Sequence, residues 1–191
     1  MLKQILTLLI ILSLFLAPNM FSQDEDMAAQ QQAWMEYMTP GPMHEMMAKT
    51  AGDWKTTIKY WMDSSGDPMV SEGTSKSEMI LGGRYLKETS NSTVMGMPME
   101  GISITGYDNS TKEFTSVWID NMGTGTTVAK GTYDEETKTI TLYGSMVDPM
   151  TGKDTKYREV INIVDDNHHV FEMYVDQDGQ EVKNMEVEYT R

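Results

Sequence analysis

From Asp53 to Arg191 the chain is a train of short β-favouring runs, and this constrains its fold more than any other feature. Thr, Val, Ile, Tyr and Trp recur in runs divided by turn-forming clusters about every 8–12 residues. The clusters are Ser65-Gly66-Asp67-Pro68, Gly82-Gly83, Asp108-Asn109-Ser110, Asp148-Pro149-Met150-Thr151-Gly152 and Asp178-Gly179. Each supplies a residue that tolerates positive φ, fixes φ, or offers a local side-chain acceptor. The spacing predicts strands near 53–62, 69–81, 84–94, 100–107, 113–120, 126–133, 139–147, 155–165, 168–175 and 180–191. No long helical pattern separates them, so parallel βαβ units, which need a crossover helix, are disfavoured. About ten strands joined by hairpins predict an all-β fold, an antiparallel up-and-down barrel.

The residues before the strands divide into two parts. Lys3 precedes Ile5–Leu16, a nearly unbroken apolar run of 12 residues, followed by Ala17-Pro18-Asn19 and acidic Asp24-Glu25-Asp26. A spanning helix needs about 20 apolar residues, so 1–22 reads as a secretory signal peptide. Cleavage is expected after Ser22, with Ala17 as the alternative. The mature protein is then periplasmic or secreted, with no membrane span. Removing Lys3 takes one positive charge away, from −14 to −15. Residues 23–41 are a Gln- and Met-rich helix or linker, with helix propensity from Ala28 to Met38. Thr39-Pro40-Gly41-Pro42 punctuates it. Pro42 suits the first turn of a short helix from about Met43 to Ala51, which Gly52 ends. The barrel domain is therefore 42–191.

Charge and composition exclude several functions. An acidic chain lacks the basic face that releases phosphate counterions, so nucleic acid is not a partner. The chain has no cysteine. Disulfides, thiol catalysis, thiolate metal sites and an N-terminal lipidated cysteine are all ruled out.

Two features then meet. Gly52-Asp53-Trp54 resembles the Gly-x-Trp that opens lipocalin-like (calycin) barrels. In such barrels a basic residue of the last strand packs on that Trp, which here implies Arg191 as the partner. A guanidinium stacks on an indole face and closes the barrel end. The chain also resembles the bacterial DUF1579 family, whose function is uncharacterised. The resemblance rests on Leu81-Gly82-Gly83-Arg84-Tyr85-Leu86, Gly96-Met97-Pro98-Met99-Glu100-Gly101, Gly106-Tyr107-Asp108, Trp118-Ile119-Asp120 and the 148–152 turn. Met99 departs from it, standing where a Phe is usual. The resemblance implies a lipocalin-like barrel and brings no substrate, catalytic residue or cofactor.

Candidate chemistry is sparse. There are 19 methionines, 17 of them outside the leader, whereas only Leu81, Leu86 and Leu142 remain of the leucines. The simple account is that Met replaces Leu as a core filler and contacts aromatic rings. The sharper account is Cu(I) held by Met95, Met97 and Met99 with His44, since thioether and imidazole ligands suit that ion. His168-His169, beside Asp165-Asp166-Asn167, reads as part of a solvated turn. Its two rings point to opposite strand faces and cannot share a metal. No nucleophile elbow, phosphate loop or EF-hand spacing occurs, and no cofactor is implied. An enzyme is disfavoured, with Trp118-Ile119-Asp120 in a cavity as its remaining footing. The leading expectation is a non-enzymatic binder of a small, mostly apolar ligand in the barrel, with Arg84, Trp118 and Asp120 at the mouth. The alternative is a filled barrel serving as a structural or interaction module.

Overall fold

The computed structural model describes the backbone of residues 18–62 and 66–191, and the side chains from Asp26 onward. The apolar run Ile5–Leu16 lies outside the described residues, and the cleavage point after Ser22 falls within the first helix. Two compact units are present, Met1–Thr39 and Pro40–Arg191.

The first unit holds helix α1, Pro18–Met38. As described it extends ten residues further toward the N-terminus than the helix expected from Ala28. Pro18, which looks like a breaker in sequence, lies within the described helix. Met27, Trp34, Met35 and Tyr37 are exposed on it.

The second unit opens with helix α2, Pro42–Lys49. His44 reaches back to the start of this helix, its Nδ1 accepting from the Gly41 amide at 3.1 Å, as a capping side chain does. Ten strands follow: β1 Gly52–Tyr60, β2 Met69–Ile80, β3 Tyr85–Val94, β4 Met97–Asp108, β5 Glu113–Asp120, β6 Thr127–Asp134, β7 Thr139–Val147, β8 Asp154–Asp165, β9 His168–Gln177 and β10 Gln180–Thr190. All pair antiparallel with their sequence neighbours, and β1 pairs with β10 from Lys55↔Thr190 to Tyr60↔Met185, closing the barrel.

The turns follow their residue chemistry. Met95-Gly96 and Asp178-Gly179 are two-residue hairpin loops with positive φ at both positions, the geometry that matches strand twist. For this reason β4 begins at Met97, three residues before its expected start. Pro98 lies beyond the β4–β5 ladder, which begins at Gly101↔Asp120. Asn121 closes that stretch instead, through the Glu100 amide and the Pro98 carbonyl. Asp108, Asp134, Asp148 and Asp165 each accept an amide two residues on, the local acceptor role expected of Asp in turns.

Directly paired residues share a face, so the register carries one inward set around the barrel. That set includes Trp54, Ser75, Ser90, Gly101, Asp120, Ala129, Gly144, Tyr157 and Val175. The two ends differ. At one, α2 lays Met43, Met46 and Met47 against Met79, Leu86, Tyr107 and a core containing Phe114 and Leu142, both 0% exposed. At the other, Met62, Met69, Met95, Met97, Met122 and Met150 are exposed in or beside the loops. Core filling therefore accounts for the first group of methionines and not for the second.

Candidate functional site

The helix end is a built floor. Trp54 is 3% exposed, and its indole N–H donates to the Thr50 carbonyl at 2.9 Å. The Arg191 guanidinium carbon lies 4.2 Å from the Trp54 ring centroid. The same group donates to the carbonyls of Ala51 at 2.8 Å and Lys49 at 3.2 Å, and to that of Asp166. A cation thus meets the last carbonyls of α2. Gly52 has φ +134, and a Cβ there would stand 2.8 Å from Arg191 Nη1, so only glycine lets the arginine lie across the strand.

His169 completes the floor. It is 7% exposed, stacks on Tyr189 at 4.2 Å and meets Trp54 edge-on at 4.4 Å. The solvated-turn reading fails for this residue. His169 belongs to the inward alternation His169-x-Phe171-x-Met173-x-Val175, while His168 points out to Glu188 at 3.1 Å. Burial, then His168 and Arg191, lowers the His169 pKa to about 4.

Above the floor the barrel has two unlike walls. In the middle of β2, β3 and β4 the inward positions are Ser71, Gly73, Ser75, Ser77, Glu88, Ser90, Ser92, Gly101, Ser103 and Thr105, with Met79, Leu86 and Tyr107 at the helix end and Met69, Val94, Met97 and Met99 at the open end. On β6 to β9 they include Ala129, Ile140, Leu142, Tyr157, Ile161, Phe171 and Val175. The second wall is the one whose chemistry suits a mostly apolar ligand. Tyr189 bridges toward the first, its hydroxyl donating to Glu88 Oε1 at 3.0 Å, which also accepts from Ser90 at 2.7 Å. Burial, then Glu88, pushes the Tyr189 phenol well above its usual pKa. Glu159 faces in from β8, 9% exposed. Burial raises its carboxyl to about 7. Sequence reasoning missed Glu159 because it sits in the charged run Lys156 to Glu159. The usable signal was Tyr157-x-Glu159-x-Ile161, one face of one strand.

At the open end Trp118 and Asp120 meet. Trp118 Nε1 donates to Asp120 Oδ2 at 2.6 Å, and Asp120 Oδ1 accepts from the Met122 and Gly123 amides at 2.9 and 3.1 Å. The indole lies on Gly101, where a Cβ would come within 2.2 Å of it. Asp120 is therefore occupied in holding Trp118 and the β5–β6 loop. Arg84 is not with them. It precedes β3 at the level of Gly106 and Tyr107, whereas Trp118 and Asp120 pair with Ser103 and Gly101. Four to six residues of β4 intervene, roughly 14–20 Å.

His44 is likewise far from the methionine triplet. It packs edge-on against Tyr107 at 5.8 Å, while Met97 opens β4 ten residues away, roughly 34 Å along the strand. Met95 stands in the turn at φ +51, so the three methionines do not alternate along one strand. His44 is therefore no fourth ligand to Met95, Met97 and Met99. Among the described residues, no group of three or more His, Cys, Asp or Glu is placed to hold a metal ion. No described helix is long and apolar enough to cross a membrane.

A groove of about 680 Å³ lies on the outer face of β1 to β3, lined by Lys55, Lys76, Glu78, Lys87 and Asn91. These five are outward positions, while Trp54, Ser75 and Arg191 border the groove at the floor.

A closed ten-stranded antiparallel barrel with a helix at one end is a lipocalin-like barrel. The chain belongs to the DUF1579 family, described as proteins of unknown function, whose family model matches residues 39–191. Among solved structures, the crystal structure of Rv2717c from M. tuberculosis is similar to it, with a TM-score of 0.56 and 14% identity. The match covers 80% of this chain and 99% of that one, and at this identity it shows a shared fold. No curated protein matches the chain.

Proposed function

We propose that the protein is a non-enzymatic binder that takes one small molecule into the barrel lumen from the Trp118 end. The observation that carries this is the wall of small side chains on β2 to β4. Eight strands already leave an interior that side chains just fill or that holds one small ligand. Ten strands enclose a wider interior than eight, and the middle of one wall is lined by serine, threonine and glycine. Inward-facing Trp118, Phe171, Met173 and Met185 keep accessible surface, which supports an unfilled lumen. The apolar wall suits the body of a ligand, and the hydroxyl wall suits its polar groups. The proposed location is the periplasm or the cell exterior, on the strength of the apolar run 5–16. N-terminal sequencing of the mature protein, expected to begin at Gln23, checks it.

Titration with the neutral dye Nile red tests the lumen. A saturable, one-to-one emission rise is expected. Ser103→Phe, which fills the middle of the lumen, is expected to abolish it. Equal binding by the filled variant places the dye on the surface and overturns the proposal. Native mass spectrometry of protein from its own source then identifies a retained ligand.

A further inference from the structure

Within the ten described strands every lysine and arginine occupies an outward position of the alternation. Lys59, Arg158 and Lys183 pair there with Glu186, Glu181 and Glu172. Three carboxyl groups point inward instead, with no cation among them. Asp120 is taken up by the Trp118 indole and two loop amides. Glu88 accepts from two neutral hydroxyls, those of Ser90 and Tyr189. Glu159 is about nine-tenths buried and has no hydrogen-bond or ion-pair partner among the described residues. The Ser75 hydroxyl, 3% exposed, also lacks one.

The topology sets these groups against each other. β3 and β8 lie five strands apart in a ring of ten, so Glu88 and Glu159 face across the lumen. Both carboxylates act on the Tyr189 phenol, which places them around one volume. A buried carboxylate without a partner is costly, and a charge of opposite sign relieves that cost. No inward residue of the described strands supplies such a charge; Arg191, stacked on Trp54, and Arg84, before β3, stand at the helix end. The surrounding chemistry also suits a cation. Aromatic faces attract it, and serine hydroxyls accept from N–H donors.

We propose that the lumen takes a small organic cation, a protonated amine on an apolar or aromatic body, with Glu159 as its counter-ion. This rests on the lumen being a ligand site and goes further by naming the ligand class. The groups beside Glu159 are Leu142 on β7 and Met173 on β9, both uncharged. Tyr157, Tyr189, Glu88, Asp120 and His169 are titratable groups that share the inner face with it, and His169, its pKa lowered to about 4 by burial, is neutral there. An ammonium at Glu159 therefore meets no positive charge from the strands, and the Arg191 guanidinium is held at the floor by the Ala51, Lys49 and Asp166 carbonyls.

Calorimetric titration with phenethylamine and phenethyl alcohol tests this, because the two share a skeleton and differ in charge. The wild-type protein is expected to bind the amine at least tenfold more tightly. Glu159→Gln, a near-isosteric change, is expected to collapse that preference, with near-ultraviolet circular dichroism confirming the fold. Equal affinity for amine and alcohol in the wild type overturns the cation assignment and leaves the lumen reading standing. A preference that survives in Glu159→Gln overturns the counter-ion role. Binding of neither probe, together with no Nile red response, removes the lumen reading itself.

Discussion

The two ends of the barrel solve opposite problems with the same ten strands. At the helix end, α2 covers the opening, Phe114 and Leu142 are wholly buried, and Arg191 ties the last strand to the carbonyls that end α2. At the open end the inward residues are small or half-exposed, the loops carry exposed methionines, and one indole is held in place by one carboxylate. Close packing is concentrated where the chain needs a floor and relaxed where a molecule could enter. Stability and the proposed binding can therefore be altered separately, at opposite ends of the same strands.

The largest difference is expected in the core. Phe114→Ala removes a fully buried ring and should cost about 3–5 kcal/mol. Trp118→Ala removes a partly buried ring at the mouth and should cost roughly 1–2 kcal/mol. Urea unfolding midpoints measure both. Equal costs would mean that the mouth is packed as tightly as the floor, and the contrast would fail.

The next comparison is between two buried titratable groups whose effects on stability oppose each other. Glu159 rises from 4.5 to about 7 through burial, so the native state keeps a proton that the unfolded chain releases. Stability from this group falls as pH rises through that window, by a total on the order of 3 kcal/mol. His169 drops from 6.5 to about 4, so the unfolded chain takes up a proton that the native state refuses. Its contribution is lost as pH falls through that window, by a similar order. Glu159→Gln should be the more stable protein at pH 8 and nearly equal to wild type at pH 4. His169→Phe should gain on wild type as pH falls below 6.5. Thermal unfolding from pH 4 to 8 reads both difference curves. A flat Glu159→Gln curve would mean that this carboxyl is hydrated in the native protein.

Arg191 tests the floor by itself. Arg191→Ala loses the stack on Trp54 and three carbonyl contacts, expected to cost about 1–3 kcal/mol. Arg191→Lys should recover less than half, because an ammonium cannot stack and fork at once. A variant as stable as wild type in both cases would reduce Arg191 to a surface charge.

What sequence made legible follows the same division of the molecule. The strand train is readable because turn chemistry is local, and the strand ends differ mainly where Met95-Gly96 turns without help from its neighbours. Gly52, Trp54 and Arg191 are readable through the resemblance to the Gly-x-Trp that opens lipocalin-like barrels, with its basic partner on the last strand. The polar wall is not readable from hydrophobic pattern. Ser71, Ser75 and Ser77 alternate with Thr74, Lys76 and Glu78, so both faces of β2 are polar and the period has no contrast. Arg84 misleads for a different reason. It shares a face with Glu88, but a shared face says nothing about distance along the barrel, and Arg84 stands near the floor.

The smallest expected effect concerns Asp120, and it separates positioning from stability at the mouth. Its carboxylate accepts from the Trp118 indole and from the Met122 and Gly123 amides, all at a loop open to water. Water can replace those bonds, so Asp120→Ala should cost about 1 kcal/mol or less. The indole, however, loses the partner that fixes it over Gly101. Trp118 emission, isolated by subtracting a Trp118→Phe background, should shift to the red and lose anisotropy in Asp120→Ala. Asp120→Asn keeps an acceptor for the indole and should fall between the two. A ligand that needs the indole in place should then bind more weakly to Asp120→Ala although the barrel is nearly as stable. Unchanged Trp118 emission in Asp120→Ala would show that packing on Gly101 holds the ring without the carboxylate, and that the mouth is as preorganised as the floor.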